Sequence, residues 1–334
     1  MRKLLIGLVA LIGLAAVVVV GGYFALKRPD IPLATLEQKY ATPDSKFIEL
    51  PDGVRMHYRD SGNADGPVVV LVHGFSSALV DWEPWTERLG DRYRMARMDL
   101  PGHGLTNAPA GYRATIEQYV KEVDAFAEAL QLQHFTIVGN SMGGNVAWEY
   151  ALAHPERVQA LVLVDASGWE ETRAGLDKDP PIFKILRNPV LGPIMAQLDS
   201  TKLIRQGLEN SVADPAFVTD DLVTRFADFA RAPGHRDILL QMTLGFRERR
   251  YASNEVLAPI HVPTLILQGE QDKLVPPDHA RKFAAAIAGS ELVTWADEGH
   301  MPMLEHPDRS ALAVGSFLDR VHARLQPATV TQEP

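Results

Sequence analysis

Between residues 46 and 325 short apolar runs alternate with longer, one-sided helical patterns. Lys46–Leu50 and Val54–Tyr58 read as two short strands, and Pro51-Asp52-Gly53 between them is a tight-turn signal. The strand Pro67–Val72 contains Val68-Val69-Val70-Leu71-Val72, an unbroken apolar run that suits a strand buried on both faces of a parallel sheet. Tyr93–Met98 is a weaker strand ending at Asp99. Thr115–Leu130 then places Ile116, Tyr119, Val120, Val123, Phe126, Ala127 and Leu130 on one side of a helix. Phe135–Val138, Val158–Val164, Thr264–Leu267 and Glu291–Trp295 read as further strands. Met142–Ala153, Pro277–Ile287 and Ser310–Leu325 read as helices. Strand–helix alternation of this kind predicts an α/β fold, a mostly parallel sheet with helices on both faces.

The rhythm breaks in two places. Residues 168–255 are mostly helical in pattern, with breaks at Pro180-Pro181, Pro189, Pro193, Pro215 and Pro233-Gly234. They are expected to form a helical cap inserted between two sheet strands of a core made by 46–167 and 256–325. The second break is the start. Leu4 to Leu26 is uncharged and apolar throughout, between Arg2-Lys3 and Lys27-Arg28. As a helix it is about 34 Å long, enough to cross a hydrocarbon layer of about 30 Å. Residues 1–28 are therefore expected to be an N-terminal transmembrane helix or a signal segment, contacting the membrane through residues 4–26. Positive charges nearly balance across the span, and a short N-terminal tail favours the inside. The expectation is a membrane-anchored protein with its catalytic domain on the non-cytoplasmic (periplasmic or extracellular) side, or a secreted one if the segment is cleaved. Residues 29–45 read as a Pro- and polar-rich linker, and 326–334 as a short polar tail.

Composition narrows the function. Acidic residues outnumber basic ones by 42 to 33, for a formal net charge of -9, which argues against a nucleic-acid partner. Cysteine is absent, so disulfides, thiol catalysis and cysteine metal sites are excluded for this chain. No His/Asp/Glu cluster has metal-ligand spacing and no Gly-rich loop carries a following lysine, so neither a metal nor a cofactor is implied. No obligate protein partner is implied either.

The strand ends carry the chemistry. Gly139-Asn140-Ser141-Met142-Gly143 lies between a strand and a helix, the setting in which G-x-S-x-G holds an exposed serine on a strained turn. Side chains at Gly139 and Gly143 are expected to collide with the neighbouring helix and strand. His73-Gly74-Phe75 ends another strand; the backbone N–H groups of Phe75 and Met142 are the expected oxyanion-hole donors. Asp272 follows the strand Thr264–Leu267, and Gly299-His300 follows Glu291–Trp295. A serine hydroxyl needs a base, and the base needs an anion to fix its tautomer. Ser141, His300 and Asp272 fill those roles, with Asp165, which also ends a strand, as the alternative acid. Glu270 reads as turn chemistry, His73 as a residue that ties down its loop, and Asp99-Leu100-Pro101-Gly102-His103-Gly104 as a structural turn.

With these motifs in place, residues 46–325 resemble the α/β-hydrolase superfamily, and within it the capped lipases, esterases and carbon–carbon bond hydrolases. The marks are His73-Gly74, Asp99 through Gly104, Gly139 through Gly144, Gly269-Glu270-x-Asp272, and Gly299-His300 with Glu305 and Pro307 behind it. The chain order Ser141, Asp272, His300 is that of this hydrolase fold. The linker and following strands resemble those of membrane-associated bacterial lipases and esterases. A serine at the nucleophile position is unlike the haloalkane dehalogenases and epoxide hydrolases, which use aspartate.

The expectation is a serine hydrolase (esterase or lipase) that cleaves a small apolar carboxylic ester through an acyl-enzyme on Ser141. A carbon–carbon bond or amide/lactone hydrolase with the same triad is the alternative, and a non-catalytic binding protein a more distant one. Ile182, Phe183, Ile185, Leu186, Val190, Leu191, Ile194 and Met195 are candidates either to line an acyl pocket or to pack the cap on the core. Trp82 and Trp85 are open to the same two readings.

Overall fold

Eight strands pair into one sheet in the order β1-β2-β4-β3-β5-β6-β7-β8 in the computed structural model, which describes residues 2–170, 185–245 and 249–325. The strands are β1 (Lys46–Glu49), β2 (Arg55–Gly62), β3 (Val68–Val72), β4 (Arg94–Met98), β5 (Phe135–Asn140), β6 (Val158–Val164), β7 (Thr264–Gly269) and β8 (Glu291–Trp295). β2 pairs antiparallel with β1 and β4; every other pair is parallel. The chain steps outward to β4 after β3, then returns to the other side of β3 at β5. That reversal leaves a crevice beyond the C-terminal ends of β3 and β5, where sheets of this kind bind ligands.

The sequence expectations for the core hold closely. β6 and β8 have the expected bounds, while β5 and β7 each run two residues further, because Gly139-Asn140 and Gln268-Gly269 still pair with their neighbours. The helix Met142–Ala153 (α5) packs on β5 and β6, and Ile116–Ala129 (α4) buries Ile116, Tyr119, Val120, Val123, Phe126 and Ala127. Thr115 caps α4 by accepting from the Gln118 N–H at 3.1 Å. Trp82 and Trp85 are fully buried, and the Trp85 indole N–H donates to Ser310 Oγ at 2.8 Å. They anchor the helix Glu83–Leu89 (α3) against Pro307–Leu325 (α13).

Between β6 and β7 the described residues add no strand to the sheet, and the α-helices there are Leu191–Ala196 (α6), Thr201–Ser211 (α7), Asp220–Ala230 (α8), His235–Gly245 (α9) and Asn254–Leu257 (α10). Ile182 and Phe183 lie outside the described residues, as does the tail 326–334.

The expected linker 29–45 is structured instead. Leu33–Tyr40 (α2) is a helix whose Leu36 is 1 % exposed and packs with Ala78, Leu105, Phe229 and Ala232. Glu37 pairs with Arg55, and Lys39 and Tyr40 both donate to Asp228. One buried position in two turns is too few for hydrophobic periodicity to register; the helix exists because its single leucine finds a tertiary partner.

Arg2–Leu26 (α1) is one continuous helix. Among the described residues no helix is long and apolar enough to cross a membrane. The end of α1 meets the cap: the Asp199 N–H donates to the Leu26 carbonyl at 2.8 Å, the Arg28 N–H to the Gln197 carbonyl at 2.9 Å, and Arg28 pairs with Asp199 at 2.9 Å.

Candidate active site

Ser141 stands at the turn from β5 into α5 with φ 55° and ψ -117°, a backbone conformation that a non-glycine residue adopts only when its surroundings force it. The forcing is visible at the two motif glycines. A Cβ on Gly139 would meet the Gly143 carbonyl oxygen at 2.1 Å, and one on Gly143 would meet the Val72 carbonyl oxygen at 2.2 Å. The turn is thus squeezed between β3 and its own helix, and the serine is pushed up at the mouth of the crevice.

His300 and Asp272 come from the far side of the sheet. The His300 Nδ1–H donates to Asp272 Oδ2 at 2.7 Å, with both residues buried. Asp272 Oδ1 accepts from the Leu274 and Val275 N–H groups at 2.7 and 2.9 Å. The carboxylate is held by its own turn, and that leaves Nε2 as the ring nitrogen available to a serine. Ser141 and His300 line one cavity of about 590 Å³, together with Phe75 and Met142. Ser141, His300, Phe75 and Met142 therefore share one cavity, with Asp272 hydrogen-bonded to the histidine behind it.

Asp165 lies against this group. Its Oδ1 accepts from the Gly269 N–H at 2.8 Å and Gln268 Nε2 at 2.9 Å. Burial first, and the Asp272 charge second, hold its carboxyl well above the usual carboxylate range. Asp165, Asp272 and His300 each offer a ligand atom, all within 4.8 Å of one another. The ring nitrogen that faces the carboxylate is already the donor to Asp272, so this spacing follows from the hydrogen-bonded pair.

Several supporting residues were invisible as functional positions. Asn140, a variable position of the motif, donates through Nδ2 to the His300 carbonyl at 3.0 Å and the Val164 carbonyl at 3.2 Å, tying the serine turn to the histidine loop. Gln268 bridges the two aspartates, reaching Asp272 Oδ2 at 3.3 Å. Glu305, present only as a family mark, accepts the N–H groups of Ala213, Gly299 and Met301 at 2.7, 3.2 and 3.1 Å. No periodicity or spacing marks such residues, because each acts through a partner that only the fold brings to it: Asn140 through the His300 carbonyl, Gln268 through Asp165, and Glu305 through the Ala213 N–H.

Other expectations resolve as follows. His73 ties down its loop: Nε2 accepts the Leu100 N–H at 2.9 Å and Nδ1–H donates to the Gly74 carbonyl at 2.7 Å. Asp99 accepts from the Leu79 and Leu105 N–H groups, as a structural turn residue does. Glu270 pairs with Arg281 at the surface. The apolar candidates Ile185, Leu186, Val190, Leu191, Ile194 and Met195 are not among the residues that line the cavity. All but Leu186 are exposed on the cap. The lining comes instead from one face of α7 (Leu203, Ile204, Leu208), Phe226 of α8 and Leu244 of α9.

A family model for the alpha/beta hydrolase fold matches residues 67–307. The chain belongs to the alpha/beta hydrolase family. Among relatives, the hydrolase YugF of Bacillus subtilis (strain 168) is 26 % identical over 268 residues, covering 80 % of this chain and 95 % of that protein. The 2-hydroxymuconate semialdehyde hydrolase of Pseudomonas sp. (strain CF600) is 27 % identical over 278 residues, covering 81 % and 93 %. Among solved structures, a bacterial membrane phospholipase A superposes with a TM-score of 0.70 at 25 % identity, covering 96 % of this chain and 99 % of that one. This alpha/beta hydrolase thus shares its fold with enzymes that break ester and carbon–carbon bonds alike.

Proposed function

We propose that this hydrolase cleaves carboxylic esters through an acyl-enzyme on Ser141. The observation that carries the reading is the wall of the cavity next to the serine. Leu203, Ile204, Leu208, Phe226, Leu244 and Met301 face it, and Arg187 and His300 are the ionisable groups among the described lining residues. Such a wall suits an acyl chain. A carbon–carbon reading draws on the relative named for a muconate semialdehyde, and Ser76, Ser77, Ser167, Arg187, Ser211 and Thr243 are the lining groups that would serve a more polar substrate.

Ser141 Oγ attacks the ester carbonyl while His300 Nε2 takes its proton. The Phe75 and Met142 N–H groups receive the negative oxygen, an interaction whose loss costs about 3–4 kcal/mol of transition-state stabilisation in comparable sites. Asp272 holds the imidazole in the Nδ1–H tautomer and balances the imidazolium. The carbon–oxygen bond to the alcohol breaks, and the alcohol leaves with the histidine's proton. Water then attacks the acyl-enzyme by the same route and releases the acid.

The same proposal places the protein at a membrane, anchored through residues 4–26 with the catalytic domain on the non-cytoplasmic side, or secreted if that segment is removed. Two observations support it: the uncharged apolar run, and the likeness to a membrane phospholipase A over nearly the whole chain. The end of α1 meets the cap beside the exposed Val190, Leu191, Ile194 and Met195, a face suited to a lipid surface.

Hydrolysis of p-nitrophenyl esters of rising acyl length, with Ser141→Ala as the blank, tests the chemistry. Serine-dependent turnover is expected, with a peak at one length; no turnover across the series would overturn the ester reading. Alkaline carbonate extraction and protease protection in spheroplasts test the anchor: extraction into the wash, or a protected domain, would sink it.

A further inference from the structure

The carboxyl groups of Asp165 and Asp272 lie side by side at the base of the histidine but are treated differently by their surroundings. Four donors converge on Asp272: the Leu274 and Val275 N–H groups, His300 Nδ1 and Gln268 Nε2. That pattern fits a carboxylate, which only accepts. Asp165 receives two donors, both on Oδ1, while Oδ2 is buried and has no hydrogen-bond partner among the described residues. That pattern fits a carbonyl oxygen beside a hydroxyl. Asp165 also has a φ of 45°, a left-handed backbone that costs energy for a non-glycine residue. Its N–H donates to the Leu267 carbonyl at 2.9 Å, so the strain is fixed by β7, the strand that leads to Asp272.

We propose that Asp165 is a second positioning residue of this site, a buried carboxylic acid that keeps its proton while Asp272 is the anion, and that becomes the histidine's orienting anion when Asp272 is removed. The proposal rests on the triad reading of Ser141, His300 and Asp272. Two adjacent carboxylates in a dry site cannot both ionise cheaply, so one proton is shared between them. The acidic groups Asp272, Glu305 and Glu298 oppose the ionisation of Asp165, while His300, within 4.8 Å, favours it whenever the imidazole is protonated. His279, near Asp272, is driven down to about 4 mainly by burial and stays neutral at pH 7. Remove the Asp272 charge and the largest electrostatic obstacle goes with it. A carboxylate oxygen of Asp165 then stands within 4.8 Å of a His300 nitrogen, with Gln268 able to serve it in place of Asp272.

The test compares wild type, Asp165→Asn, Asp272→Asn and the double variant. The readouts are the rate of Ser141 labelling by a fluorophosphonate and kcat/KM for a p-nitrophenyl ester, each from pH 5 to 9. Labelling reports the activated serine whatever the natural substrate, so a wild type that labels but turns over no ester separates the two claims. Asp165→Asn is the single-variant reference against which the double variant is read. Asp272→Asn is expected to exceed the double variant by about tenfold or more, and its rate to climb with pH as Asp165 gives up its proton. Equal rates for Asp272→Asn and the double variant, or a flat pH profile for Asp272→Asn, would overturn the proposal, as would a wild type that does not label. If Asp165→Asn fails to fold, carbon-13 NMR of aspartate carboxyls in the wild type decides: one must keep the shift of a protonated acid at pH 7, and a full set of ionised carboxyls overturns the assignment.

Discussion

The backbone N–H of His300 donates to the carbonyl of Ser211 at 2.6 Å, so the residue proposed as base hangs from the last turn of a cap helix. Glu305 reinforces the link by accepting from Ala213 in the cap and from Gly299 and Met301 on either side of the histidine. Cap position and histidine position are therefore one mechanical unit. Replacing Glu305 with Ala leaves three N–H groups without their acceptor. The expected result is a loss of about 1–3 kcal/mol in stability and a fall in kcat larger than any rise in KM. Denaturant unfolding and steady-state kinetics on the same preparation check it; a variant that loses only stability would separate the clasp from catalysis.

The serine turn has no room for a methyl group. A Cβ at Gly139 meets backbone atoms of Gly143 and Gly144 at 2.1 to 2.6 Å, none of which can swing aside. Gly139→Ala is expected to cost about 1–3 kcal/mol, the range of overpacked cores, and to abolish serine labelling by displacing Ser141. Thermal unfolding with a fluorophosphonate assay would show both effects together.

Gly207 offers the opposite case. It lines the cavity from α7, and a Cβ there meets nothing within 4 Å. Gly207→Phe is expected to fill part of the 590 Å³ without straining the backbone. The acyl-length optimum should move to shorter esters. Helix stability should rise by about 0.5 kcal/mol or slightly more, because glycine in a helix interior is costly. An unchanged chain-length profile would mean that acyl chains run elsewhere.

Stability should also depend on pH through Glu122. Burial pushes its carboxyl up to about 7, while it accepts from Tyr112 Oη and Gln118 Nε2, both at 2.9 Å. In the unfolded chain a glutamate releases its proton near about 4.3. Between these values the native state binds more protons, so stability is full below the unfolded value and declines as pH rises towards about 7. Glu149, pushed up to about 7 by burial, adds to the same slope. Glu122→Gln is expected to flatten part of that decline, read as the difference in Tm between pH 5 and pH 8 for variant and wild type.

What the sequence determined by itself was whatever depends on neighbours along the chain. Valine-rich apolar runs announced β3 and β6 because a strand buried on both faces has few polar positions to show, only Gln159 among these two. The one-sided face of α4 and the glycines at 139 and 143 were equally legible, since helix periodicity and a cramped turn are local demands. The order of Ser141, Asp272 and His300 came from strand ends read the same way. Only the tertiary structure decided what depends on chain segments that meet from afar. It turned the supposed linker into a helix held by Leu36, put the apolar cavity lining on α7, α8 and α9 rather than on the open candidates between 185 and 195, and buried Trp82 and Trp85 away from the site. It also set Asp165 beside Asp272, 107 positions along the chain. Burial, and the sharing of one proton between two carboxyls, are properties of that meeting and of neither segment alone.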